Sequence, residues 1–338
     1  MLAPVRPRQR RIRVMAACVG GCLVLAVLLS LALGSRAIAP GEVLGAIFSG
    51  LDSDNATVIT SQRLPRTILG LVCGLALGMA GALMQGHTRN PLADPGLFGV
   101  NGGAGLGVAV LVFGFGVAAP EAIVFAALVG AGAVSVLVFV AGLGALRGGA
   151  LVQLAVVGTS VAALCTALTS ALVLLDKQTL DVLRFWDAGS LAAPDRSAWG
   201  LVMPLMGVGM VLALANGVAL RELALGEEVA QALGTRVATA RVVGIAAITL
   251  LCGGATALCG PLAFIGLVAP HVVRRACAHD YRWLVPLAGC AGAVLLLLAD
   301  TIGRVVSPPG ELEAGIVMAV IGAPVLLSIA RAKRLVSL

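Results

Sequence analysis

Metal or nucleophilic chemistry in this chain would have to be assembled from eight cysteines and three histidines, and neither set has the spacing for it. Cys18, Cys22, Cys73, Cys165, Cys252, Cys259 and Cys290 lie inside apolar runs, and Cys277 lies beside one. No CxxC pair occurs, so these read as small apolar packing residues rather than a redox or zinc motif. His87, His271 and His279 form no HExxH pair. A phosphate-cradling GxxxxGK(S/T) loop needs a Gly-Lys step, whereas the lysines are Lys177 in DKQ and Lys333 in AKR. The chain alone is therefore not expected to hydrolyse ATP. Gly158, Thr159 and Ser160 lack the closing glycine of a nucleophile elbow. No catalytic constellation emerges, and no metal site is expected.

The polar residues are better suited to binding. Arg63 and Arg66 bracket RLPR ahead of an apolar run, and Arg304 follows Asp300 by four residues. Two readings fit. Asp300 and Arg304 form an i,i+4 pair with Arg63 and Arg66 as interfacial anchors, or the three arginines receive carboxylates from an external partner. The stretch RELALGEEVAQALGTRV, residues 221–237, reads as two short helices hinged at Gly226. Glu227 and Glu228 fall in the second helix's first turn, where the helix dipole favours acids. Val229, Ala232 and Leu233 make an apolar stripe, and Gly234 can end the helix. That segment is either a surface-lying connector or a docking helix for a partner's groove. The turn GHTRNPLADPG, residues 86–96, sets an Arg-Asn pair and two prolines between apolar runs, which is more than a membrane turn requires.

These residues must be positioned by membrane helices. The 338-residue chain is 59% hydrophobic and 12% charged, against roughly 25% charged residues in soluble domains. Only 4% is aromatic, while glycine contributes 44 residues, the profile of helices that pack through small side chains. A spanning helix needs about 20 apolar residues. Charge-free candidates are 14–34, 67–86, 96–119, 122–146, 148–175, 197–220, 283–299 and 314–330. The first is 21 residues long, beyond the roughly 7–15 of a signal-peptide core, so it is expected to remain as a membrane helix. The run from Val242 to Val273 is 32 residues, broken at Gly260 and Pro261, too long for one span and short for two.

Charge decides between nine spans and ten. With ten, one side holds Arg6, Arg8, Arg10, Arg11, Arg13, Arg89, Arg147, Arg221, Arg236, Arg241, Arg274, Arg275, Arg282, Arg331, Lys333 and Arg334. That leaves 7 of the 23 basic residues opposite. By the positive-inside rule, the richer side is the cytoplasm, with both termini there. This distribution also argues against nucleic acid as the reason for the net charge of +7. The eighth span, from residue 262 to 273, reaches only about 18 Å unless Arg274 and Arg275 snorkel. The organisation expected is a basic arm, residues 1–13, and one membrane domain, residues 14–334, with cytoplasmic helices near 221–236. Gly70, Gly74 and Gly78 recur at four-residue spacing, a helix-packing seam. RLPRT before one Pro-Leu-Ala turn and TRVATAR before another faintly echo an inverted repeat.

The segment RLPRTILGLVCGLALGMAGALMQGHTRNPLADPGLFGVNGGAGLG closely resembles the signature of FecCD-type permeases. These are membrane subunits of ATP-driven importers for iron–siderophores, haem and vitamin B12. LALGEEVAQALGTRV, GPLAFIGLVAPHVVRRACAHD and LLLLADTIGRVVSPPGELEAGIVMAVIGAP fit in the same order, so the resemblance covers roughly residues 40 to 330. It implies an all-α, ten-helix type II ABC importer permease fold in the cytoplasmic (inner) membrane. It implies a second permease subunit, identical or related, and an extracytoplasmic solute-binding protein as partners. A separate ATP-binding subunit would hold ATP and Mg, with no cofactor on this chain. By the same resemblance, Leu223, Leu225, Gly226, Glu227, Glu228, Val229, Ala230, Leu233 and Gly234 belong to the coupling helices that dock on the ATPase. Arg63, Arg66 and Arg304 stand where the family meets glutamates of the binding protein. Asn90 and Leu92 match residues that narrow the cytoplasmic end of the pathway. The family's ELPVG is replaced here by ELEAG, residues 311–315, which puts Glu313 where a proline is usual.

The cargo expected is an iron–siderophore, with haem and vitamin B12 as alternatives. An ion-coupled secondary transporter would need an intramembrane acid as a relay. Asp300 is the one acid near a span, and Arg304 is placed to neutralise it.

Overall fold

The computed structural model describes residues 6–34, 38–48, 54–143, 151–192, 196–307 and 310–331. Arg147, Lys333 and Arg334, counted above for sidedness, lie outside them. Helix α1 (Arg6–Ala32) begins inside the basic arm, so the N-terminal arginines ride on its first turns rather than on a separate arm. The short helices α2 (Pro40–Phe48) and α3 (Asp54–Val58) and a π-turn (Ile59–Arg63) lead into α4 (Leu64–Thr88). A 3-10 turn (Pro95–Phe98) precedes α5 (Val100–Phe115), followed by α6 (Pro120–Leu143), α7 (Leu151–Leu175) and α8 (Lys177–Trp186). Then come α9 (Trp199–Leu223), α10 (Glu227–Ala232), α11 (Val237–Cys259), α12 (Ile265–Cys277), α13 (Tyr281–Val306) and α14 (Ala314–Arg331). Ten of these, α1, α4 to α7, α9 and α11 to α14, run through the bundle. Seven of the ten are long and apolar enough to cross a membrane, and α5, α12 and α14 are shorter.

The long run from Val242 to Val273 divides in two. Gly260 adopts φ 73 and Phe264 φ 69, left-handed backbone that a helix cannot continue through. The Gly260 N–H closes α11 on the Thr256 carbonyl at 2.8 Å, and the last carbonyl of α11, on Cys259, accepts from Ser190 N–H at 2.7 Å. At 13 residues, α12 is about 20 Å long, short of the roughly 30 Å hydrocarbon layer. The expectation that Arg274 snorkels is corrected: it is buried and turned inward, its Nη2 donating to Gln85 Oε1 at 2.6 Å. Only Arg275 points to the exposed side.

Glycine seams hold the centre. Gly70, Gly74 and Gly78 do pack α4 onto a neighbour, which is α13. A methyl group added at Gly74 would lie 2.8 Å from both Ala293 N and Gly292 O, and one at Gly78 would lie 3.0 Å from Gly289 Cα. Gly103 and Gly107 of α5 meet Gly130 of α6 in the same way. Lipid removes the hydrophobic drive between helices, so backbone contact of this kind supplies the cohesion. Among the spanning helices α4, α11 and α13 are the most buried and α7 the least, which leaves much of α7 without a partner in this chain.

The two ends of the bundle differ in charge as the sequence implies. At one end the N-terminal turns of α1 meet the end of α12, and the ends of α4 and α9 meet each other. Arg10, Arg11, Arg89, Arg221, Arg236, Arg241, Arg274, Arg275 and Arg282 gather there. At the other end Arg63, Arg66, Arg196 and Arg304 cluster around the end of α1 and the start of α4. The echo between RLPRT and TRVATAR has a spatial counterpart. Helices α4 and α11 pack together, and each is followed by a Pro-Leu-Ala turn.

Candidate functional site at the two ends of the bundle

The arginine-poor end is organised around the C-terminus of α1. The last carbonyls of a helix have no partner within it. Here two guanidinium groups supply them. Arg63 Nη1 donates to Leu31 O and Ala32 O, both at 2.8 Å. Arg304 Nη1 donates to Leu33 O at 2.9 Å and to Ser30 O at 3.1 Å. Positive charge is also what a helix C-terminus favours electrostatically. A hydroxyl chain completes the corner: Ser30 Oγ lies 2.8 Å from Thr67 Oγ1, which donates to Arg63 O at 2.8 Å.

Asp300 is fully buried between two of the arginines. Arg66 Nη2 stands 2.7 Å from Asp300 Oδ1, and Arg304 Nε stands 3.1 Å from Oδ2. The i,i+4 pair expected from sequence is therefore present, with Arg66 as a second counter-ion. Arg66 also reaches Glu311 Oε2 at 2.6 Å, and the Glu311 side chain is 34% exposed. Of the three arginines proposed to meet an outside partner, Arg63 and Arg304 are buried, at 6% and 3% exposure. Arg66, bridging a buried and a partly exposed carboxylate, is the one nearest the surface. Glu313, in place of the family's proline, sits just before α14, where its carbonyl accepts from Ile316 N–H at 3.0 Å and starts the helix.

A cavity of ≈ 600 Å³ lies between α5, α7 and α8. Its walls are mostly apolar, with Asn101, Thr166, Thr169, Ser170, Arg184 and Asp187 as polar groups among them. Sequence reading missed it for two reasons. The hydroxyls of α7 are hidden in a charge-free run, and α8 is too polar to register as a span. Asp176 caps α8, its carboxylate accepting from Thr179 N–H at 2.8 Å.

At the arginine-rich end, the expected pair of short helices around Gly226 is corrected. Leu223 is the last residue of the long α9, and α10 alone is short, with six residues. Gly226 at φ 112 makes the corner that precedes α10, and Gly234 at φ 91 makes the one that follows it. Ala230 and Leu223 are both buried, which seats the segment on the bundle. Leu225, Val229 and Leu233 are all exposed, Leu225 on the turn before α10, Val229 within it and Leu233 at its end, which leaves an apolar surface along the segment. Glu228 is exposed, while Glu227 pairs with Arg241 at the start of α11.

The turn after α4 touches that segment directly. Arg89 adopts φ 50 and ends α4, and its Nη2 donates to Leu223 O at 3.2 Å. Asn90 Oδ1 accepts from Leu92 N–H at 3.0 Å, so Asn90 shapes the turn that presents Leu92. Asp94 Oδ1 accepts from Gly96 N–H at 2.9 Å and caps the 3-10 turn. Two residues before Arg89, His87 Nε2 lies 2.8 Å from Asn216 Oδ1, and Asn216 Nδ2 donates to Ala240 O at 2.6 Å. Helices α4, α9 and α11 are thereby tied together beneath α10.

Among the described residues, no group of three or more His, Cys, Asp or Glu could hold a metal ion. Ten bundled helices, seven of them long and apolar enough to cross a membrane, define a polytopic membrane protein. The chain belongs to the FecCD transport family, whose model matches residues 22–332. It is 44% identical over 315 residues to the ferric enterobactin transport system permease protein of Escherichia coli (strain K12), covering 92% of this chain and 93% of that one. It is 34% identical over 311 residues to an Fe(3+)-citrate import system permease protein of Bacillus subtilis (strain 168), covering 90% and 91%. A solved metal-chelate type ABC transporter in an inward-facing conformation superposes with a TM-score of 0.80 at 25% identity, covering 95% of this chain and 99% of that one. The fold is thus that of a type II ABC importer permease. These relatives run against the ion-coupled alternative, as does an Asp300 held by two arginines.

Proposed function

We propose that this chain is the membrane subunit of an ATP-driven importer that passes a ferric siderophore into the cytoplasm by alternating access. The cargo reading rests on the relatives, foremost the ferric enterobactin permease at 44% identity. A separate ATP-binding subunit hydrolyses ATP with Mg, and a second permease subunit covers the open face of α7. The arginine-rich end, with both termini, lies in the cytoplasm, in keeping with the positive-inside rule.

The observation that carries the mechanism is the contact between Arg89 and Leu223 O. The apolar surface of Leu225, Val229 and Leu233 docks on the ATPase. Displacement of that segment pulls, through the Leu223 carbonyl, on the turn that holds Asn90 and Leu92, the proposed inner gate. At the outer end, the binding protein engages Arg66 with a carboxylate that takes the place of Glu311. Arg63 and Arg304 act there by holding α1 in position beneath the docking surface. The cavity between α5, α7 and α8 forms part of the cargo's path.

The test is co-purification. Val229→Asp and Leu233→Asp place charge on that surface without touching the core, and each should abolish capture of the ATPase subunit while the permease still purifies as a folded protein. Unchanged capture and transport in both variants would refute the assignment.

A further inference from the structure

A second feature of the arginine-rich end is unrelated to α10. A cavity of ≈ 660 Å³ opens between the first turns of α1 and the last turn of α12, within the roughly 300–1,000 Å³ usual for small-ligand sites. Arg10, Arg11 and Arg275 line its mouth. All three are exposed, and among the described residues none is in an ion pair. Further along α1 the wall is apolar, with Val14, Met15 and Cys18, and Ala276 of α12 stands next to Arg275. Cys18 lies seven residues beyond Arg11, about 10 Å further along the helix axis. The cavity therefore grades from three guanidiniums to hydrocarbon along the direction in which α1 enters the membrane. Val14, Val24, Leu25 and Leu28 continue that exposed apolar surface.

We propose that this cavity binds an anionic glycerophospholipid. Its headgroup phosphate sits between Arg10, Arg11 and Arg275, and an acyl chain runs down the wall of Val14, Met15 and Cys18. The guanidinium fork matches phosphate oxygens in a bidentate way that an ammonium group cannot. A free phosphate or nucleotide would leave the apolar floor uncovered, and so would an acidic surface of a soluble protein. A molecule with a phosphate at one end and hydrocarbon at the other satisfies both halves. Bound there, it would pin the start of α1 to the end of α12, two elements that otherwise meet only lightly.

The experiment is native mass spectrometry of the purified full chain in a neutral detergent, titrated with phosphatidylglycerol or phosphatidylcholine. Phosphatidylglycerol should be retained in preference. Arg275→Gln and Arg10→Gln should each weaken retention about fivefold, the effect of one juxtamembrane arginine. Cys18→Trp fills the floor at constant charge and should also displace the lipid. Arg13→Gln, on the same helix but outside the cavity, should change nothing. Each variant is first required to keep the parent's melting midpoint in neutral detergent, so that misfolding is not read as lost binding. The proposal is overturned by equal retention of the two lipids, by an Arg13→Gln loss as large as that of Arg275→Gln, or by a Cys18→Trp variant that binds normally. Displacement of the lipid by the ATPase subunit would also overturn it, because a protein would then be the cavity's occupant.

Discussion

Replacing Asp300 with Asn keeps the shape of the side chain and removes the charge that holds Arg66 and Arg304. Asp300 is fully buried, with guanidinium nitrogens 2.7 Å and 3.1 Å from its two oxygens. Stranding a buried charge by removing its partner costs about 3–5 kcal/mol. For a chain of this length, that corresponds to a fall in melting midpoint of about 4–7 °C. Arg304→Gln should fall further, because the same side chain also caps the carbonyls of Ser30 and Leu33 at the end of α1. The double variant, Asp300→Asn with Arg304→Gln, should lose less than the sum of the two singles, since neither change strands the other. The assay is thermal unfolding of purified protein in detergent, with ATP-dependent uptake measured in vesicles that also contain the ATPase. An Asp300→Asn protein that melts with the parent would show that the corner is not an ion-pair clamp. Uptake that became independent of ATP and followed an ion gradient would refute the importer reading itself.

Other expectations are more direct. Gly74→Ala puts a methyl group 2.8 Å from the backbone of Ala293 and Gly292 and should sharply reduce the yield of folded protein, whereas Gly132→Ala, with open space around it, should be neutral or slightly stabilising by melting midpoint. Arg89→Ala removes the contact with Leu223 O and should leave ATPase capture intact while lowering transport per ATP hydrolysed, measured in reconstituted vesicles. Arg66→Glu should weaken binding-protein affinity most at low salt, where screening is least. Affinity that is equally salt-dependent in the parent and the variant would remove Arg66 from the docking surface.

The helices and their number were legible because they follow from one-dimensional properties. Apolar length, the Gly70–Gly74–Gly78 period and the sidedness of arginines are all local or cumulative along the chain. The division at Gly260 could be inferred from charge parity before any geometry was known. The arginine corner was only half legible. Spacing alone gave the Asp300–Arg304 pair, but nothing in RLPR announces that Arg63 will find the end of α1, which is 31 residues earlier in the chain. Capping by a distant side chain is a tertiary event, and it buries Arg63 and Arg304 against the end of α1. Arg274 fails for the same reason. Snorkelling is the default for an arginine at a helix end, but Gln85 of α4 offered it an inward partner. The stripe of Val229 and Leu233 was visible as a pattern, while the addition of Leu225 and the burial of Ala230 needed the corner at Gly226.

The uneven burial of the helices also bears on how such a chain can diverge. Helix α4 is locked by backbone contacts on both its α13 and α12 faces, so a side chain added at Gly74, Gly78 or Gly81 collides with main chain. Helix α7 carries the hydroxyls of that cavity and packs on α5, α6 and α8, while most of its surface faces away from the subunit. On the proposed cargo path, substitutions that change which chelate fits can therefore accumulate on α7 and α8 at small cost to folding, while the scaffold drifts hardly at all. A lineage could exchange one iron carrier for another by rewriting one wall and leaving the frame untouched.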